Sequence, residues 1–212
     1  MPMQRMIQIT AILLVCVGLL VSVLFATGVG PFSVGDDQFA DCRTSAVAGG
    51  SAAIGGPFEL VDHKGRAVTE QDVIVEPSLI YFGYTFCPDV CPFDTVRNAE
   101  AIDLLAAKDL SATPIFISID PERDTPEALD AYVENIHPKM VGLTGTEEQV
   151  KVASKAYRTY YKRHNDDPEY YIVDHSTQTY LMLPEHGFVE FFNRNTSAEQ
   201  IAETAACFIE NS

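Results

Sequence analysis

Apolar residues are distributed in three regimes along the chain. Residues 7–29 are apolar almost without interruption, and residues 31–53 mix Gly, Ala, Ser and Asp with no period. From residue 54 onward, short apolar runs alternate with segments of helical period. Residues 58–62 and 64–68 predict a small hairpin turning at His63-Lys64-Gly65, and Thr69-Glu70-Gln71-Asp72 starts a short helical turn. After Pro77, residues 78–84 form a nearly continuous apolar strand, followed by a helix-compatible segment at 93–110 and a second such strand at 114–119. Thr125 then caps a helix that has Pro126 at its first position and runs to about residue 136, before Pro138. Residues 141–143 are a short strand, and Thr146-Glu147-Glu148-Gln149 is a capping box that opens a helix to about residue 161. A polar break at 162–170 reads as an exposed loop. Residues 171–175 follow, then a hairpin of 179–183 and 188–192 around Pro184-Glu185-His186-Gly187. A second capping box, Ser197-Ala198-Glu199-Gln200, opens the last helix, which carries Ile201, Ala205, Cys207 and Phe208.

Two buried strands joined through one helix make a βαβ unit with parallel pairing. The whole order, β-α-β-α-(β)-α-β-β-α without internal repeats, is that of an α/β thioredoxin-like domain: a central mixed sheet flanked by helices, with an added N-terminal hairpin. The expected organisation is an N-terminus and transmembrane anchor at 1–30, a linker at 31–53 and the domain at 54–212. The apolar stretch at 7–29 has about the ~20 residues that a helix needs to cross a bilayer. Arg5 precedes it and Asp36 and Asp37 follow it, an asymmetry that keeps the N-terminus in the cytoplasm. A cleaved signal peptide competes with this reading, but its apolar core is usually about 7–15 residues, and the uncleaved anchor is favoured. The expected location is a bacterial-type inner membrane crossed once, or its mitochondrial equivalent. The domain then faces the oxidising periplasm or intermembrane space.

The chain of 212 residues has 30 acidic and 14 basic residues and a net charge of −16. That surface repels phosphate backbones and excludes nucleic acid as a partner. The compartment also changes how the cysteines read. Of the five, Cys16 lies in the apolar span and the other four are Cys42, Cys87, Cys91 and Cys207. Long-lived free thiols are uncommon outside the cytoplasm, so a structural disulfide between Cys42 and Cys207 is expected, tying the N-terminal arm to the last helix.

Cys87 and Cys91 sit where the strand at 78–84 meets the helix behind it, within Tyr84-Thr85-Phe86-Cys87-Pro88-Asp89-Val90-Cys91-Pro92. A helix N-terminus lowers thiol pKa, and the thiolate is both the nucleophile and the soft metal ligand. If both cysteines lie on one helical turn, they share a face and allow a disulfide or a shared metal. His175, beside Asp174, enters the late hairpin from a loop that can approach this end of the sheet. Two thiolates and one imidazole form a soft three-ligand set suited to Cu(I), whereas structural zinc usually takes four ligands. A structural, hydrogen-bonded His175 is the competing reading. His63, His137, His164 and His186 read as solvated, and tyrosines 157, 160, 161, 170 and 171 as packing. Asp120, Arg123 and Asp124 read as a local ion-pair and capping network, and Asp89 as a residue that tunes the thiols or accepts backbone N–H groups.

Three segments together resemble the Sco/SenC family, named for the synthesis of cytochrome c oxidase. They are the run from Tyr81 through Pro92, then Ile117-Ser118-Ile119-Asp120-Pro121-Glu122-Arg123-Asp124-Thr125-Pro126, and Val173-Asp174-His175. The three-residue spacer between the cysteines and the distant Asp-His depart from ordinary two-spacer thioredoxins. The resemblance spans about residues 54–209 and implies Cys87, Cys91 and His175 as ligands of Cu(I) and, in many members, Cu(II). Phe86 stands where many relatives have a histidine, so that position cannot ligate. The implied function is a membrane-anchored copper chaperone that helps load the binuclear copper centre of cytochrome c oxidase subunit II or another copper acceptor. The alternative is a thiol–disulfide oxidoreductase, served by a thiol reductant, whose redox-active dithiol Cys87/Cys91 reduces the acceptor's cysteines. A thiol peroxidase is a distant third.

Overall fold

The protein is described by a computed structural model covering residues 13–15, 17, 19, 22, 38–45, 53–164 and 170–212. The chain divides into two units, Met1–Gln38 and Phe39–Ser212, and the elements that follow all belong to the second. In chain order they are β1 (Glu59–Asp62), β2 (Ala67–Thr69), α1 (Glu70–Val73), β3 (Ser78–Gly83), α2 (Val90–Ala106), β4 (Thr113–Ser118) and α3 (Pro126–Ile136), then β5 (Val141–Thr144), α4 (Glu147–Ala156), β6 (Tyr161–Arg163), β7 (Val173–His175), β8 (Thr179–Leu183), β9 (Gly187–Phe192) and α5 (Ala198–Glu210).

The two continuous apolar runs become the centre of the sheet. Every residue of β3 and of β4 is buried, as befits parallel strands covered on both sides. The seven-stranded order is β2-β1-β5-β4-β3-β8-β9. Strand β4 pairs in parallel with β3 and β5, while β8 runs antiparallel to β3 and β1 antiparallel to β5. The sheet is therefore mixed, with the expected hairpin β1–β2 added at one edge. Strands β6 and β7 form a separate two-stranded sheet. One buried cluster joins Leu79, Leu181 and Leu183 of the sheet to Ala101, Ile102 and Leu105 of α2 and Ile201, Ala205 and Phe208 of α5. The other joins Ile80, Phe82, Ile115 and Ile117 to Leu129 and Val133 of α3 and Val150 and Ala153 of α4.

Several boundaries differ from the sequence reading. Helix α2 begins at Val90, three residues before the expected start, because Pro92 falls within the first turn, where a missing N–H costs nothing. It ends at Ala106 rather than 110, and Asp109 turns the chain at a φ of 60°. Helix α4 ends at Ala156 instead of running to 161; Arg158 leaves it at a φ of 52°. Tyr161–Arg163, assigned in part to the polar break, is strand β6. The rest of that break, 165–169, lies outside the described residues. Two histidines read as solvated are bonded instead. His63 Nδ1 accepts the Gly142 N–H at 3.1 Å, and the buried His137 accepts the Lys139 N–H at 3.1 Å while its Nε2 lies 3.3 Å from Asp103.

The expected membrane span at 7–29 lies largely outside the described residues. Leu13, Leu14, Val15, Val17, Leu19 and Ser22 within it are helical. Among the described residues, no helix is long and apolar enough to cross a membrane. Within the expected linker 31–53, residues 39–45 are held against the domain. Cys42 is disulfide-bonded to Cys207 with a Cα–Cα distance of 5.6 Å, and Phe39 packs at 5.2 Å from the Phe208 ring. The buried Glu190 carboxylate accepts the Thr44 N–H at 2.7 Å, the Ser45 N–H at 3.2 Å and the Ser45 hydroxyl. A buried carboxylate is costly unless satisfied, and the arm supplies its donors.

Candidate metal centre

At the C-terminal end of β3 the chain turns through Tyr84, Thr85 and Phe86 into Cys87, and α2 starts three residues later. Cys87 is thus outside the helix, where its sulfur does the work of a cap. The Cys91 N–H, one of the orphan donors of the first turn, points at Cys87 Sγ across 3.4 Å. Asp89 is the residue at the N-cap, but its side chain makes no capping bond. Thr85 and Ser118 give their hydroxyls to the buried Asp124 carboxylate at 2.5 and 2.6 Å, which pins this turn to the end of β4.

Cys91 is buried within α2, and Gly83 is what lets it lie against β3. A Cβ on residue 83 would stand 2.9 Å from Cys91 Sγ, 2.8 Å from the Tyr81 ring and 3.0 Å from Phe116. His175 reaches the pair from the end of β7. Its Nδ1 donates to the Ser176 carbonyl at 2.7 Å. Its other ring nitrogen, Nε2, lies 3.3 Å from Cys91 Sγ. Tyr81 and Tyr84 stand edge-on to the imidazole, at 6.1 and 5.9 Å between centroids. One ligand atom from each of Cys87, Cys91 and His175 lies within 4.8 Å of the other two, in the one such grouping among the described residues.

The two sulfurs are electrostatically unequal. Hydrogen bonding from the Cys91 thiol, aided by His175 and by the N–H groups of Cys91 and Asp89, holds Cys87 down at about 3 against the opposing effect of burial. Cys91 is pushed up, first by that same bond to Cys87 and then by burial. One proton shared by a close pair produces this split. The reduced site therefore holds one thiolate at the helix N-terminus and one buried thiol beside the imidazole Nε2. A soft cation entering the site would displace that proton and meet two sulfurs and a nitrogen.

Beneath the site lies a polar layer that the sequence pattern does not reveal. The Tyr81 hydroxyl donates to buried Asp94 at 3.0 Å, and Asp94 pairs with Arg97 at 3.2 Å. Burial pushes the Asp94 carboxyl up, against the opposing pull of Arg97 and Tyr81. The Tyr84 hydroxyl accepts the Val173 N–H at 3.3 Å, joining β3's end to β7. Tyrosines at 81 and 84 in an apolar run look like core, and only the fold aims their hydroxyls. Of the other residues singled out, Asp120 and Arg123 pair at 2.5 Å beside the site, whereas His63, His137, His164 and His186 are not brought into the group.

The SCO1/SenC family profile matches residues 46–210. The chain is 51% identical over 174 residues to Protein SenC of Rhodobacter capsulatus, covering 82% of this chain and 78% of that protein. It is 39% identical over 191 residues to the mitochondrial Protein SCO1 homolog 1 of Arabidopsis thaliana, covering 85% of this chain but only 57% of that protein. The fold is similar to the crystal structure of Arabidopsis thaliana ScoI with copper bound, with a TM-score of 0.71 and 39% identity over 74% of this chain and 99% of that one. A three-residue cysteine spacer, a distant histidine that closes on it, and these likenesses over most of the chain lead to one conclusion: the protein belongs to the SCO1/SenC family.

Proposed function

We propose that this protein is a copper chaperone whose ligands are Cys87, Cys91 and His175, and that it delivers copper to the binuclear centre of cytochrome c oxidase subunit II or a similar acceptor. The observation that carries the reading is the Cys-Cys-His grouping within 4.8 Å, the one such grouping among the described residues. Two sulfurs and one nitrogen suit Cu(I), and among the described residues no fourth Cys, His, Asp or Glu joins the group as structural zinc would want. Cu(II) could be held by the same three groups with added water or anion. The crystal structure of the similar Arabidopsis protein with copper bound supports the same cargo. Cys91 is fully buried, while the Cys87 and His175 edge of the group is nearer the surface. Transfer is then ligand exchange: an acceptor thiolate displaces His175 or Cys87 first, and Cys91 is the last to let go.

Residues 7–29 would anchor the chain in a membrane, with the N-terminus in the cytoplasm and the domain in the periplasm or its mitochondrial counterpart. Support comes from the length of that apolar stretch, Arg5 before it and Asp36 and Asp37 after it. The Cys42–Cys207 disulfide agrees with an oxidising compartment.

The unequal sulfurs favour a second reading, a thiol–disulfide oxidoreductase. The Cys87 thiolate would attack one sulfur of an acceptor disulfide, forming a mixed disulfide and releasing one acceptor thiolate. Cys91 would then lose its proton and attack Cys87 Sγ, releasing the second acceptor thiolate and leaving Cys87 and Cys91 oxidised for a thiol reductant to restore. His175 separates the two readings, since copper needs the imidazole and disulfide exchange does not. His175→Ala should weaken Cu(I) binding by at least about tenfold while leaving the dithiol able to cycle. Unchanged copper affinity in that variant would exclude the three-ligand site, and an unchanged rate of acceptor reduction alongside it would favour the reductase.

A further inference from the structure

His175 does not stand on the main sheet. It ends β7 of the separate β6–β7 pair, in which it lies opposite Tyr161. The shape of the three-ligand group therefore depends on what fixes that pair to the body of the domain. One side chain reaches the loop after β4, the turn before Cys87 and the segment before β7 together. Arg123 Nε pairs with Asp120 at 2.5 Å, and its Nη1 donates to the Tyr171 carbonyl at 3.1 Å. Its guanidinium carbon lies 3.6 Å from the centre of the Tyr171 ring, 4.9 Å from that of Phe86 and 5.6 Å from that of Tyr84. Tyr171 gives its hydroxyl to the same Asp120 carboxylate at 2.6 Å, so arginine and tyrosine share one acceptor. Phe86 is the residue immediately before Cys87, and Tyr171 stands four residues before His175.

We propose that Arg123 is a positioning residue for the metal group: by holding Phe86 and Tyr171 at once, it sets the distance between Cys87 and His175. This rests on the copper reading of the site. It also gives a role to Phe86, which is 63% exposed beside a reactive cysteine and too apolar to ligate. Its ring is the outer wall of the guanidinium stack. The planar, forked guanidinium is what the position requires, because it stacks on rings with its face and bonds through its edge. A lysine could keep the pair with Asp120, but it could not stack between two rings.

The test uses the full chain, reduced at the dithiol, as wild type, Arg123→Ala, Arg123→Lys, His175→Ala and the double variant R123A/H175A. Cu(I) affinity is read by chelator competition, the copper ligands by X-ray absorption, and the metal-free imidazoles by NMR. Arg123→Ala should lower Cu(I) affinity by about 10–100-fold, the range for residues that orient a metal ligand. The double variant should bind no more weakly than His175→Ala alone, because the Cys87–His175 distance that Arg123 sets no longer matters once the imidazole is gone. Without metal, the His175 ring signals should move in Arg123→Ala while those of His63 and His137 stay in place, which general loosening of the fold would not produce. Arg123→Lys should fail to restore either property. Wild-type imidazole signals and wild-type copper ligation in Arg123→Ala would overturn the proposal, as would full rescue by lysine. If wild-type copper carries no imidazole and His175→Ala binds it equally well, the copper reading fails, and the metal-free NMR comparison still decides the role of Arg123.

Discussion

At the scale of single residues, the site is shaped by one missing side chain and one unequal pair. Gly83 leaves the space that Cys91 Sγ, the Tyr81 ring and Phe116 fill from three sides, each within 3.0 Å of where a Cβ would be. Gly83→Ala must push at least one of them away. Overpacking of this kind costs about 1–3 kcal/mol, which denaturant unfolding should detect, and copper affinity should fall with it. The Cys87 thiol, held at about 3 in place of its ordinary 9.0, is a depressed acid. Its contribution to stability is complete above the unfolded pKa and is lost as pH falls toward the folded one. The reduced, metal-free protein should therefore lose stability steadily between about pH 9 and pH 3, and thiolate absorbance from one sulfur should persist through neutral and mildly acidic pH. A single thiolate titrating near the ordinary cysteine value of 9.0 would refute the pairing of Cys87 with Cys91 and the helix N-terminus.

Among the elements, the arm and the last helix make the sharpest prediction. The Cys42–Cys207 bridge spans 165 residues of sequence, for which the chain-entropy relation gives about 5 kcal/mol and measured removals about 2–5 kcal/mol. Replacing both cysteines by serine should lower the urea midpoint accordingly and leave Cu(I) affinity unchanged, because the bridge contributes nothing to the Cys87–Cys91–His175 group. A large loss of copper affinity in this double variant would show that the arm shapes the site.

The same scale separates what was legible in the sequence from what was not. Strands β3 and β4 were readable as continuous apolar runs, and the capping boxes at Thr146 and Ser197 as local side-chain patterns; both boxes form, with Gln149 and Gln200 accepting the cap N–H at 2.8 and 3.0 Å. Local rules succeed where the partners are local. Strand β6 escaped because Tyr-Lys-Arg carries no apolar alternation and is a strand only through its pairing with β7, ten or more residues away. The Gly142 bond to His63 and the Asp103 contact of His137 escaped for the same reason, since both partners reach them across the fold. His175 was found by the chemistry of its side chain and by family resemblance, because nothing in the pattern around residue 175 announces a sulfur 84 residues earlier. The Tyr81–Asp94–Arg97 layer had no sequence signal at all: each residue is ordinary in its own segment.

For the whole molecule, 30 acidic residues against 14 basic ones give a net charge of −16. Such a field favours approach of a positively charged cargo or partner face, and it weakens as salt rises. The mixed sheet brings the end of β3 and the start of α2 to one edge, and the small β6–β7 sheet brings a third ligand there from a distant part of the chain. What the assembly does rests on whether that edge holds copper. The most direct measurement is the copper content of the reduced full chain after Cu(I) loading and removal of excess metal, compared with Cys87→Ser. The expected result is one copper per chain in the wild type and essentially none in the variant. A reduced wild-type protein that retains no copper, or a variant that retains as much as the wild type, would contradict the three-ligand site.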